Sequence, residues 1–209
     1  MIDFLDYHKA YGRHEVLSIP KLKIPDGIHW IKGVNGSGKS TLLKSIAGII
    51  PFKGDILVQG QSIKRSPVKS RRLVTYSEAE PAFPVFLTAG DILDFVAETR
   101  KYSPVKMNKL KDHFGINHYQ DQAIGGYSAG MLKKLSLCTA FCGEVPWILL
   151  DEPFAFIDSA TEEKLIDLIW QKVEEGINFI ITSHHELEKN LFEFNNIFSI
   201  KETQLQIEE

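Results

Sequence analysis

The stretch Gly33-Val34-Asn35-Gly36-Ser37-Gly38-Lys39-Ser40-Thr41 holds the densest chemistry in the chain. Its fixed positions fit the phosphate-loop spacing Gly-x4-Gly-Lys-Ser/Thr. Gly33, Gly36 and Gly38 let the main chain curl close around an anion, where a Cβ would clash. The N–H groups of the loop, and of the helix it opens, then face phosphate. In such a loop Lys39 reaches the β- and γ-phosphates and Ser40 offers its hydroxyl to Mg2+. At average composition this spacing arises by chance in about one chain in a hundred of this size, so context has to decide. Here an apolar run precedes the loop and a helical pattern follows it, as a phosphate site requires.

Two carboxylates, Asp151 and Glu152, end the apolar run at residues 147–150. An acid at the end of a buried strand is costly unless a partner occupies it. Beside a phosphate loop, Asp151 is expected to hold Mg2+, directly or through water. Glu152 is placed to polarise an attacking water as general base. The plainer alternative is a pair of surface acids capping the next helix. Ser183, His184 and His185 follow a second apolar run, at 178–182. A lone histidine at a strand end is more often structural, but its place one strand after the carboxylates points to the same site.

The elements that must position these groups alternate along the chain. Short apolar runs at 28–31, 54–58, 73–76, 147–150 and 178–182 read as strands. Helical patterns occupy 41–50, 91–98, 106–114 and 161–173. This alternation predicts an α/β fold with a largely parallel sheet. The segment at about 77–135 lacks a clear strand and reads as a helical subdomain inserted into a core made of about 1–76 and 136–209. Residues 201–209 read as a short polar tail. Together these predict a single domain over 1–209.

Composition narrows the class. The chain has 209 residues, 44% of them hydrophobic, enough for one large core. A net charge of −3 gives no nucleic-acid footprint. The nearest basic run, residues 64–72, is short and diluted and reads as a solvated loop. Cys138 and Cys142 lie four apart in an apolar helical pattern and read as small core residues rather than metal or redox ligands. No signal peptide is evident, and no apolar stretch approaches the roughly 20 residues needed to span a bilayer. Service at a membrane would need a partner.

The phosphate loop, the stretch Tyr127-Ser128-Ala129-Gly130-Met131, the Asp151-Glu152-Pro153 strand end and His184, in this order, resemble the ATP-binding cassette (ABC) ATPases. The resemblance covers about residues 2–200. It implies a P-loop NTPase core with a parallel sheet, an N-terminal antiparallel β subdomain and an inserted helical subdomain. It implies ATP and Mg2+ as cofactors, with Lys39, Glu152 and His184 catalytic and residues 33–41 binding nucleotide. Tyr11 lies where the family places an adenine-stacking aromatic; a half-buried strand tyrosine is the alternative, and Tyr7 a weaker candidate. Asp158 matches the acid of the D-loop.

YSAGM is similar to the family's signature, and nearer to the YSxGM form of exporter-type subunits. Ser128, Ala129 and Gly130 would face the γ-phosphate held by a second subunit. Ala129 departs from the family by one methyl. The family's Q-loop glutamine has no glutamine counterpart here. Glu78 is the first candidate to replace it at the metal, with Glu80 second. The resemblance implies a homodimer or a paired second ABC subunit, a separate integral membrane permease and no nucleic acid. It places the chain in the cytoplasm on the inner face of the cell membrane, as an ATPase subunit of an exporter. Phe83, Pro84, Phe86 and Leu87 would be either core packing or a contact for the permease. The alternative function is a soluble ABC ATPase of a non-transport complex, such as iron–sulfur cluster assembly. A P-loop kinase would not need these motifs in this order.

Overall fold

The computed structural model describes residues 1–184 and 192–208. An N-terminal hairpin, β1 (Ile2–Tyr11) and β2 (His14–Ile24), leads into β3 (Ile28–Lys32) and then α1 (Lys39–Ile46). β4 (Lys53–Val58), β5 (Gln61–Ser62), the short α2 (Pro67–Arg71) and β6 (Val74–Ser77) follow. Three helices come next: α3 (Ala89–Arg100), α4 (Pro104–Phe114) and α5 (Ala129–Phe141). The chain then runs through β7 (Trp147–Asp151), α6 (Ser159–Glu174), β8 (Asn178–Ser183), β9 (Asn196–Lys201) and β10 (Gln204–Ile207).

These strands form two sheets. One is antiparallel, in the order β2-β1-β4-β5. The other has six strands in the order β10-β9-β3-β8-β7-β6, all parallel except the edge strand β10. Alternation along the central strands divides the core in two. Trp147, Leu149 and Ile180 face α1 and the antiparallel sheet. Ile148, Leu150, Phe179 and Ile181 face α5 and α6 on the other side. Every residue of β7 and β8 is buried, which is why both read as unbroken apolar runs.

The register of the six-stranded sheet builds the site. Asp151 pairs with Thr182, and Ser183 with Lys32. The carboxyl ends of β7, β8 and β3 therefore lie side by side. They deliver the two carboxylates, His184 and the phosphate loop to one edge, where α/β sheets bind ligands.

Three expectations change. Residues 201–209 are not a plain tail, because Gln204–Ile207 form an edge strand that buries Leu205. Its turn is Glu202-Thr203, both with positive φ, in place of the glycine or asparagine that usually marks such a hairpin. The basic run at 64–72 contains α2, started by Pro67 and burying Ser70. Tyr7 is fully buried and bonds Ser45 at 2.9 Å, so it is not available to a ligand. Both cysteines are buried and free, and burial pushes the Cys142 thiol up to about 11.

Candidate functional site

The phosphate loop leaves β3 and curls through Gly36 (φ 81°) and Gly38 (φ 107°), then starts α1 at Lys39. A Cβ on Gly38 would also press on Val16 and Leu17 of the hairpin, so glycine is required twice over. Lys39 is almost fully buried. Its ammonium donates to the carbonyls of Gly33 at 2.5 Å and Val34 at 3.3 Å, and lies 3.6 Å from Glu152 Oε1.

Glu152 is held in a left-handed backbone conformation, φ 46°, rare for a non-glycine residue. Such strain costs on the order of 1–3 kcal/mol and collects at functional sites. Its N–H donates to Thr182 Oγ1, which steadies the turn. Its Oε2 meets His184 Nδ1 at 2.8 Å. Its Oε1 is buried with no hydrogen-bond partner among the described residues. A base poised beside a cation and an imidazole, with one free lone-pair face, is the arrangement that orients a water.

Asp151 is 1% exposed, and both carboxylate oxygens are occupied. Tyr76 donates its phenol to Oδ2 at 3.0 Å, and Thr182 its hydroxyl to Oδ1 at 2.6 Å. Burial, then the Asp151 charge, drives the Tyr76 phenol far above its ordinary value. Tyr76 and Thr182 hold the Asp151 carboxylate, and the sequence did not reveal them. Their only signal was position, on the strands flanking the Asp151 strand.

A cleft of about 570 Å3 gathers Tyr11, Asn35, Gly36, Gly38, Lys39, Ser40, Thr41, Glu152 and His184. Tyr11 stands at its rim, 53% exposed, with the Lys9 ammonium 4.4 Å from its ring centroid. Ala155 and Phe156, the first residues of the D-loop-like stretch 155–158, also line the cleft. Gly33, Val34, Ser37 and Asp151 support this cleft but are not among its lining residues. His185 lies outside the described residues.

Glu78 does not reach the cleft. It pairs with Lys44 at 3.3 Å and lines a neighbouring cleft instead. The loop after β6 enters the nucleotide-sized cleft through Ala79 and Glu80. The expectation for Glu78 is therefore corrected: after the last rung of β6 its side chain turns to Lys44 of α1, and the second candidate, Glu80, is the one that lines the cleft.

The residues fit ATP and Mg2+. The glycine cradle, the buried Lys39 and the unpartnered Glu152 Oε1 leave room for polyphosphate and water. No cluster of three protein metal ligands occurs among the described residues. Ser40, Asp151 through water, and Glu80 would hold Mg2+ together with phosphate oxygens, the usual way this ion is bound beside nucleotides.

The start of α5 has the opposite character. Ser128 caps the helix by accepting from Met131 N–H at 3.2 Å, and both Ser128 and Ala129 are exposed. None of Ser128, Ala129 and Gly130 lines the chain's own cleft. A Cβ on Gly130 would sit 2.7 Å from the Phe156 carbonyl oxygen, so glycine lets the helix start close on the loop before α6. Asp158 caps α6 through Thr161 and receives Lys134 at 2.8 Å, which holds its carboxyl far below the usual carboxylate range.

One further buried group escaped the sequence reading. Lys133, on the second turn of α5, is 0% exposed. Burial pulls its ammonium down to about 8, against the opposing charges of Asp151, Glu152 and Glu78.

A family model described as ABC transporter matches residues 20–155. A manganese transport system ATP-binding protein, MntB of Bacillus subtilis, is 30% identical over 86% of this chain and 74% of its own. An aliphatic sulfonates import ATP-binding protein, SsuB 2 of Burkholderia cenocepacia, is 28% identical over 92% of this chain and 70% of its own. The chain spans about two thirds to three quarters of the length of the curated relatives it matches first. A solved structure titled "Structure of ATP binding subunit of ABC transporter" superposes with a TM-score of 0.87 at 21% identity, covering 98% of this chain and 88% of that one.

Proposed function

Since the chain belongs to the ABC transporter family, whose ATP-binding subunits are ATPases, we propose that it binds and hydrolyses ATP to drive transport through a separate membrane protein. The observation that carries this reading is the pairing of two unlike half-sites. Lys39, Glu152 and His184 converge on one cleft, while the Ser128 helix start is capped, exposed and no part of that cleft's lining.

The chemistry follows from the residues. Tyr11 offers a ring face for a base at the rim. The loop amides, the α1 N-terminus and Lys39 hold phosphates and stabilise charge on them. Bound Mg2+ would supply charge neutralisation between phosphates. Glu152 orients the attacking water, and His184 fixes the Glu152 carboxylate. The exposed N–H groups at Ser128 to Gly130 present a second anion site to the nucleotide of another ATP-binding subunit, with Asp158 in the loop between the halves. ATP then joins two subunits, and loss of the terminal phosphate loosens them.

No helix among the described residues is long and apolar enough to cross a membrane. Membrane attachment would therefore run through the permease, on its cytoplasmic side. Phe83 and Leu87 pack against the core, but Phe86 is 79% exposed and Val85 66% exposed, an aromatic and aliphatic anchor for that partner. The YSAGM form speaks for export, whereas the sulfonate relative is named for import. Affinity purification from detergent-solubilised membranes tests the proposal. A co-purifying multi-span protein is expected. Recovery with soluble complexes alone would overturn transport in favour of a soluble assembly role.

A further inference from the structure

The last paired rung between β6 and β7 is Ser77 with Leu150. One residue later the two chains part. Glu78 turns toward Lys44, while Asp151 stays paired with β8. The carbonyls of Glu78 and Asp151 are thereby left at a buried fork with no strand partner for each other. A buried carbonyl without a donor costs about 1–3 kcal/mol.

The side chain of Lys133 closes this fork. Its ammonium donates to the Glu78 carbonyl at 2.7 Å and to the Asp151 carbonyl at 2.7 Å. Among the described residues, no carboxylate forms an ion pair with it; both bonds are to backbone oxygens. One turn on, Ser136 Oγ meets Ser77 Oγ at 2.9 Å, so α5 grips the end of β6 twice. α5 is also the helix whose exposed start carries Ser128.

We propose that Lys133 is a positioning residue that ties three parts of the site together: the loop carrying Glu80, the strand end carrying Asp151 and Glu152, and the helix presented to a second subunit. A displacement of the Glu80 loop by a docked partner cannot occur without pulling on the Asp151 main chain or breaking a charge-assisted bond. The side-chain bridge acts as an extra rung of the ladder that travels with α5. This inference rests on the ATPase reading above and adds a route by which the loop after β6 reaches the carboxylates.

Three variants of the full chain test it. Lys133→Met keeps the length and removes the donors. Lys133→Gln is neutral but keeps two N–H donors. Lys39→Ala serves as the control for the ATPase reading, because wild-type turnover in that variant would sink that reading itself. Lys133→Met is expected to lower kcat by about tenfold, within the range seen for coupling residues. KM for ATP should stay within about twofold, since no ligand contact is lost. Amide exchange should accelerate together at the non-proline residues of 78–82 and at Asp151 and Glu152. Lys133→Gln should restore most of kcat and slow both segments again. Wild-type kcat in folded Lys133→Met would overturn the proposal. If that variant does not fold, Lys133→Gln decides alone: a small rise in exchange shared by both segments, with a lowered kcat, supports the bridge, and wild-type exchange with wild-type kcat overturns it. Faster exchange at 78–82 with unchanged kcat overturns it.

Discussion

The two helix starts proposed to face phosphate, α1 after the phosphate loop and α5 after Tyr127, are built in opposite ways. At α1 the lysine is buried, bonded to loop carbonyls and set against Glu152. At α5 the capping serine is exposed and bonds its own helix, through Met131 N–H. The first is finished inside one chain. The second has a preformed cap and close backbone packing against Phe156, yet does not line the cleft of its own chain. On the proposed two-subunit reading, burial marks the half of the site that must be organised before ligand arrives, and exposure marks the half supplied to a neighbour.

The comparison can be broken from either side. Lys39→Ala removes the buried cation beside Glu152 and should lower turnover by at least about a hundredfold, equivalent to about 2.7 kcal/mol. A steady-state ATPase assay on folded protein checks this. Gly130→Ala attacks the other half. Helix propensity favours alanine by about 1 kcal/mol, but overpacking against the Phe156 carbonyl costs about 1–3 kcal/mol. The net outcome should be a displaced helix start. Turnover is expected to fall by about tenfold while ATP affinity stays within about twofold, measured by titration calorimetry. A loss of affinity equal to the loss of turnover would erase the distinction between the halves.

A smaller effect should follow Tyr11→Ala. One aromatic stacking contact is worth about 1–3 kcal/mol, and the Lys9 ammonium already covers part of the ring. KM for ATP should rise by about fivefold with kcat unchanged. The smallest effect lies outside both halves. Replacing Glu202-Thr203 with Asn-Gly should raise stability by about 0.5–1 kcal/mol, because both positions have positive φ. Urea unfolding should show it, with turnover unaltered.

The finished half was largely legible in the sequence, for a physical reason. A loop that wraps phosphate needs glycines at fixed spacing, and a carboxylate at a buried strand end is conspicuous against Trp-Ile-Leu-Leu. The pairing of Glu152 with His184 required only that two strands be neighbours. What stayed hidden depended on side-chain direction across elements far apart in sequence. Lys133 carries no mark in the sequence, and only the fork between β6 and β7 gives it a place inside. Glu78 and Glu80 differ by which way the chain turns after its last rung. The β9–β10 hairpin was masked because Glu-Thr stands where turn residues usually announce themselves.

The central claim is that one chain holds half of each of two catalytic sites. Size-exclusion chromatography of Glu152→Gln with saturating ATP and Mg2+ tests it most directly. The substitution keeps a polar group beside His184 but removes the base, so ATP persists. The account predicts a dimer that appears with ATP and disappears with ADP, and that is lost when Ser128→Arg is added. A protein that stays monomeric with ATP bound would contradict it.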